Sequence, residues 1–293
     1  MPIKHIVLEG GAYLGVSTLG ALSFLQKEGF YDIKQIKTIY GSSIGAVIGG
    51  ILCLKVDWGD LFEYIRDRPW HKILKFTPDL LFTMAAKKGI FDSSFFIKTF
   101  NNLLQSKDLH NDISMKELYE YSGIELHIIT TKMNDFSIED ISYKTHPNFK
   151  FITAVYQSST IPILFQPNWH DESYFLDGGL INNFPIDLCI QNGAAIEEIL
   201  GIRYKALINN NKVKQTDGFL DYLLEFFRRL FSVQRKENAV NLKNQLIIPC
   251  DKINITECQK LLQDSNIRAQ YLRDGEKAAQ TFLFYEKKSQ SNI

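Results

Sequence analysis

The chain opens on a short, mostly apolar run, Ile3 to Leu8, stopped by Gly10-Gly11, after which apolar residues recur at Val16, Leu19, Leu22 and Leu25. A run followed by helical spacing predicts a buried strand, a glycine turn and a helix. The same order repeats at once. Ile36 to Tyr40 alternates as a strand, Gly41 to Gly45 forms a tight turn, and Ala46 to Leu54 reads as an apolar, glycine-tolerant helix. Two consecutive strand-turn-helix units imply a parallel sheet. Further strands are expected at Ile124 to Thr130, Tyr174 to Leu176, Ile199 to Ile202 and Leu246 to Ile248, with helices between them. The alternation predicts a three-layer α/β/α fold with a mainly parallel central sheet.

Two regions break the pattern. Between Trp58 and Gln105, aromatic residues such as Trp70, Phe91, Phe95 and Phe96 mix with lysines and show no strand alternation, so short helices covering one end of the sheet are expected. Core packing and a lid or funnel beside a site both suit its Trp70 to Phe96 stretch. After Ala206 the chain turns polar and then amphipathic, which places a boundary near 205: a main α/β domain over 1–205 and a mostly helical extension over 206–293. Within that extension, Phe219 to Lys236 sets Phe219, Leu223, Phe226, Phe227 and Leu230 against a polar face, with four basic residues to two acids. Such a segment is either an interfacial helix or one packed on the sheet domain.

Composition narrows the function classes. The 33 Lys and Arg balance 33 Asp and Glu, so no overall positive field argues for nucleic acid. Cys53, Cys189, Cys250 and Cys258 form no zinc-spaced cluster, and reduced thiols are expected. No cofactor or metal is implied. The start of the chain lacks a secretory pattern, and Ile44 to Leu54, 11 residues, is too short for a span of about 20. A cytoplasmic protein, at most peripheral on membranes, is expected.

Three motifs carry candidate chemistry. Gly41-Ser42-Ser43-Ile44-Gly45 fits the G-x-S-x-G elbow, directly after a predicted strand and before a predicted helix, which would present the Ser43 hydroxyl at a helix N-terminus. A serine needs a base. The five histidines after Ser43 leave a triad formally open, but none sits in a recognisable turn. Leu176-Asp177-Gly178-Gly179 offers a carboxylate delivered by a strand into a Gly-Gly turn, either as a base or as a group stabilising its own turn. Glu9-Gly10-Gly11-Ala12-Tyr13-Leu14-Gly15 is a loop of backbone donors after the first strand. Its glycines miss the dinucleotide spacing and Gly15 lacks a following Lys, so an oxyanion hole is favoured over either nucleotide site.

In this order and spacing the motifs resemble the patatin-like phospholipase family. The resemblance extends to Gly89-Ile90-Phe91-Asp92, to Gln157 through Phe165 and to Asn183-Phe184-Pro185, covering residues 3 to 204. It implies a Ser43–Asp177 dyad working without histidine through an acyl-serine intermediate. Gly10, Gly11, Ala12 and Ile44 would supply oxyanion N–H groups, with Gly15, Gly41, Gly45, Gly178 and Gly179 supporting the turns. It also implies a phospholipid or other acyl-ester lipid as substrate, transient contact with a membrane surface and no nucleic acid; an activating protein partner is left open. One loop departs from the family: its usual third glycine is Ala12, and its usual Arg or Lys is Leu14. A lipid transacylase, or a lipid-binding module of low activity, are the alternatives.

Overall fold

The sheet order and the direction of its strands decide which loops meet. The computed structural model describes residues 1–74, 84, 86–206, 215, 218–234, 242–250 and 253–290. In chain order the elements are β1 (His5–Leu8), α1 (Gly15–Lys27), β2 (Thr38–Ser42), α2 (Ile44–Cys53), α3 (Trp58–Asp67), β3 (Gly89–Phe91), α4 (Ser94–Gln105), α5 (Met115–Ser122), β4 (Glu125–Lys132) and β5 (Ser137–Ile141). There follow α6 (Phe151–Ser158), β6 (Ile163–Phe165), β7 (Asn168–His170), β8 (Ser173–Asp177), α7 (Ile186–Gln191), β9 (Ile199–Ala206), α8 (Phe219–Gln234), β10 (Gln245–Cys250), α9 (Ile255–Gln263) and α10 (Ser265–Gln290).

The central sheet runs β10-β9-β1-β2-β4-β8-β7, with β5 also paired to β4. From β10 to β4 every pairing is parallel, whereas β8, β7 and β5 are antiparallel. Side chains alternate between faces, as a pleated strand requires. On β1, Ile6 and Leu8 enter the main core while Val7 joins a smaller core on the opposite face with Tyr40, Phe184 and Cys189. The fold is therefore mixed α/β, mostly parallel, with helices on both faces.

Local chemistry explains several boundaries. Asp57 caps α3 by accepting from the Gly59 N–H at 2.7 Å. Ser114 and Glu117 form a reciprocal capping box at the start of α5, and Gly123 ends it at φ +70°. The aromatic segment holds the expected short helices, α3 and α4, but also a strand: Phe91 of β3 pairs in parallel with Phe165 of β6. Residues 75–83 and 85 of that segment lie outside the described residues.

Residues beyond 206 return to the same sheet. β10 extends it in parallel beside β9, with Leu246 opposite Ile202. α10 lies along α1 so closely that a Cβ at Gly20 would overlap the Leu272 carbonyl and one at Gly275 the Ser17 carbonyl. Glycine at both positions is what permits this approach.

Candidate active site

β2 ends at Ser42 and α2 starts at Ile44, so Ser43 alone carries the reversal. Its backbone sits at φ +55° and ψ −124°, a conformation that a non-glycine residue keeps only when its surroundings enforce it. Here the Ser43 N–H donates to Ser158 Oγ at 2.9 Å, and that hydroxyl donates to the Ile129 carbonyl at 2.5 Å. The turn is also tight: a Cβ on Gly41 would strike the Gly45 backbone, and one on Gly45 the Leu8 carbonyl. The Ile44 N–H, first in α2, has no intrahelical acceptor and lies at the positive end of the helix.

Asp177 ends β8 and is 1% exposed. Its position follows from register. Ser42 is opposite Ile129 on one side of β4, and Asp177 is opposite Thr130 on the other. Asp177 Oδ1 accepts from the Gly179 N–H at 2.8 Å, and its own N–H donates to the Thr160 carbonyl at 2.9 Å. Oδ2 is buried with no hydrogen-bond partner among the described residues. Burial pushes the carboxyl up to about 7, against the Ser43 hydroxyl and the Gly179 N–H, which both hold it down. The nucleophile candidate and the carboxyl are thus neighbours, short of a closed hydrogen bond, and the carboxyl titrates near neutrality. A Cβ at Gly178 would overlap the Ile129 carbonyl, so this turn too depends on a missing side chain.

The glycine loop lies beside Ser43, since a Cβ on Gly10 would be 3.2 Å from the Ser43 Cβ. Gly10 does not fill the donor role expected of it. Its N–H is spent on the Asn183 carbonyl at 3.0 Å, while the Asn183 amide donates back to the Gly10 carbonyl at 3.1 Å. This reciprocal pair fastens the loop to the turn after Asp177, leaving Gly11, Ala12 and Ile44 as the donors that face no such commitment. Ala12 adopts φ +50°, the left-handed geometry suited to the glycine that usually stands there. Leu14 is buried in the main core, and Gly15 lets the Ile44 side chain pack against the loop.

None of the six histidines lines the Ser43 pocket. His127, the most buried, stacks on Tyr40 at 4.0 Å and pairs with Asp140 through Nδ1 at 2.8 Å, on the sheet face away from α2. The triad left open by the sequence does not form.

Ser43 opens into a cavity of about 240 Å³. One wall is the α2 face Ile44, Val47, Ile48 and Ile51. Facing it are the aromatic segment, through Trp70, Phe95 and Phe96, and the start of α9, through Ile255 and Leu262. The aromatic residues therefore serve as both core and wall, and the contribution of 253–262 carried no sequence signal. Ser158, Ser159 and Asn183 stood in the sequence as parts of motifs without assigned roles.

α8 packs beside the Gly178–Leu180 turn. Its Phe219, Tyr222 and Phe226 are 56%, 52% and 47% exposed, whereas Glu225 is buried and paired with Arg229 at 2.9 Å. No helix of the described residues is long and apolar enough to cross a membrane.

With this geometry in place, comparison with known proteins is decisive about family. The Patatin-like phospholipase family model matches residues 6–190. The chain belongs to the patatin-like phospholipase family. It is 30% identical over 190 residues to the protein of Invertebrate iridescent virus 6 named "Probable lipid hydrolase 463L", covering 64% of this chain and 63% of that one. It is 25% identical over 201 residues to the "cGAMP-activated phospholipase" of Vibrio cholerae, covering 62% of this chain and 55% of that protein. The chain thus spans less than two thirds of these relatives. Its fold is similar to that of VipD from Legionella pneumophila, with a TM-score of 0.57 and 16% identity over 97% of this chain and 67% of that one.

Proposed function

We propose that this patatin-like protein hydrolyses acyl esters of lipids through a Ser43–Asp177 dyad. The observation that carries the reading is the placement of Ser43, on a strained elbow between a near-neutral buried carboxyl and a deep apolar cavity. An apolar cavity suits a fatty acyl chain, whose burial contributes about 0.8 kcal/mol per methylene. The relatives named lipid hydrolase and phospholipase support the same substrate class.

In the first step Asp177, ionised, accepts the Ser43 proton as Oγ bonds to the ester carbonyl carbon. The N–H groups of Gly11, Ala12 and Ile44 stabilise the oxyanion that forms. Collapse breaks the bond to the alkoxy oxygen, which leaves with the proton held by Asp177, and Ser43 is acylated. Water then gives a proton to Asp177, attacks the acyl-serine, and releases the fatty acid as the proton returns to Ser43. The aromatic stripe of α8, beside the Asp177 turn, supports transient contact of a cytoplasmic protein with the membrane that holds its substrate.

The test is to incubate the protein with a fluorophosphonate probe and with mixed phospholipid vesicles, recording serine labelling and free fatty acid. Ser43→Ala is expected to lose both. Asp177→Asn is expected to lose fatty acid release by about a thousandfold or more while keeping its fold. Turnover retained in either folded variant overturns the dyad; release of the acyl group onto another lipid rather than water would make the protein a transacylase.

A further inference from the structure

β9 runs on past the point where β1 leaves it. Leu8 of β1 pairs opposite Ile202, and the Glu9 N–H still donates to the Ile202 carbonyl at 3.1 Å, but from Gly10 the chain turns away into the glycine loop. Tyr204, two residues further along β9, stands where that loop departs. It is 5% exposed and is held at both ends. Its backbone N–H donates to Glu9 Oε2 at 2.7 Å, and its hydroxyl shares a hydrogen bond with Thr18 Oγ1 at 2.6 Å. Glu9 precedes the loop and Thr18 follows it in α1, so one residue reaches from one root of the loop to the other.

Between these anchors the ring lies against the loop itself. A Cβ on Gly11 would be 2.4 Å from Tyr204 Cε2 and 2.7 Å from Cδ2, so only a glycine lets the backbone rest on the ring. Two consecutive glycines leave a loop wide backbone freedom, and the N–H groups that follow them are the proposed oxyanion donors. The pairing of Gly10 with Asn183 fixes the start of the loop, and buried Leu14 fixes its end. What meets it in between is the Tyr204 ring. Ala12, Tyr13 and Gly15 line the cavity, and Tyr204 does not.

We infer that Tyr204 is a positioning residue that keeps the Gly11 and Ala12 N–H groups aimed at the oxyanion of the proposed reaction. This deepens the Ser43–Asp177 reading and rests on it. The need is geometric. Backbone donors stabilise a tetrahedral oxyanion fully only when they already point at the place where it forms; donors on a loose loop must be reordered as the charge develops, which raises the barrier. A ligand that fills the cavity without reacting makes no use of that alignment. Loss of the ring therefore weakens the transition state and leaves occupancy of the cavity as it was.

The experiment compares Tyr204→Leu and Tyr204→Phe with the parent on a p-nitrophenyl ester and on two inhibitors of the same chain length. One is a trifluoromethyl ketone, to whose carbonyl carbon Ser43 Oγ adds, giving its proton to Asp177 and leaving a tetrahedral oxyanion in the loop. The other is the fatty alcohol, which occupies the cavity without reacting. Tyr204→Leu is expected to lower kcat/KM roughly 10- to 100-fold and to weaken the ketone by a similar factor, with inhibition by the alcohol changed less than about threefold. Tyr204→Phe keeps the ring and the bond to Glu9, and is expected to stay within about fivefold of the parent on all three. Equal weakening of ketone and alcohol would make Tyr204 a packing residue of the cavity, an unchanged ketone would free the loop from it, and a fall in Tyr204→Phe as deep as in Tyr204→Leu would move the effect from ring to hydroxyl; each overturns the inference. If Tyr204→Leu does not fold, Gly11→Ala presses on the ring from the other side and is held to the same selective loss of the ketone. Failure of the dyad itself reads differently: Ser43→Ala would keep ester turnover, and the parent would bind the ketone no more tightly than the alcohol.

Discussion

Ser43 and Asp177 meet across a single strand: β4 separates the strand that ends before the serine from the antiparallel strand that ends on the aspartate, with Ile129 and Thr130 as their adjacent partners. Because β8 runs against β4, its C-terminal residue stops at the level where the parallel strands end, which is where ligands bind in open α/β sheets. The carboxyl reaches the site as the terminus of a buried strand, and burial is what raises its pKa.

The first consequence concerns the pH profile. Asp177 must be ionised to accept the serine proton, and its carboxyl is pushed up to about 7. The kcat/KM for ester hydrolysis is expected to climb with pH along an acidic limb centred near 7, falling about tenfold per unit below it. Initial rates on a soluble ester from pH 5 to 9 measure this; a limb centred near 4 would mean the carboxylate does not serve as the base.

Stability should move in the opposite direction. A carboxyl whose pKa rises from 3.8 unfolded to about 7 folded binds more protons in the native state between those values. Its contribution is therefore full below about pH 4 and is lost as pH rises toward 7, at up to about 1.4 kcal/mol per unit. Asp177→Asn cannot ionise and still accepts from Gly179. It is expected to melt higher than the parent at pH 8, with the gap closing near pH 4, as thermal unfolding at the two pH values will show.

Ala12 occupies a left-handed backbone position at φ +50°. That costs an L-residue about 1 kcal/mol or more, partly offset by the smaller unfolded-state entropy of alanine. Ala12→Gly is expected to raise the denaturation midpoint modestly, by up to about 1 kcal/mol of stability, without lowering activity. Urea unfolding checks the sign.

The cavity beside Ser43 follows α2 from Ser43 to Ile51, eight residues and roughly 12 Å of helix. Ile51→Phe fills the deeper part. Esters of short acids should keep their kcat/KM, while long-chain esters fall by about tenfold or more. A chain-length series read by fatty acid release decides whether the acyl group occupies this cavity.

The outward residues of α8 are the candidates for membrane contact. Phe219, Tyr222 and Phe226 replaced together by Ser are expected to weaken co-sedimentation with anionic vesicles by about tenfold or more while leaving hydrolysis of a soluble ester unchanged. Equal binding by the triple variant assigns membrane contact elsewhere.

Much of the framework was legible because its elements are long enough to show a period. The two strand-turn-helix units and the later strands near Ile124, Tyr174, Ile199 and Leu246 stand where the pattern places them, with ends shifted by a residue or two except in β9, which runs four residues past Ile202. β3, β6 and β7 were not visible, since three residues carry no alternation. Nor could spacing show that the Gly10 N–H is consumed by Asn183, a residue that meets it only through the fold. The wall supplied by Ile255 and Leu262 was hidden for the same reason: amphipathic spacing shows that a face is covered, and not what covers it.

That wall has a consequence for synthesis on the ribosome. Elongation completes β8, and with it the pairing that brings Asp177 to Ser43, well before Ile255 and Leu262 emerge. An arrested chain ending between these points would carry Ser43 and Asp177 beside an open groove in place of a cavity. The cavity is thus closed later in translation than the strands that carry Ser43 and Asp177 are paired.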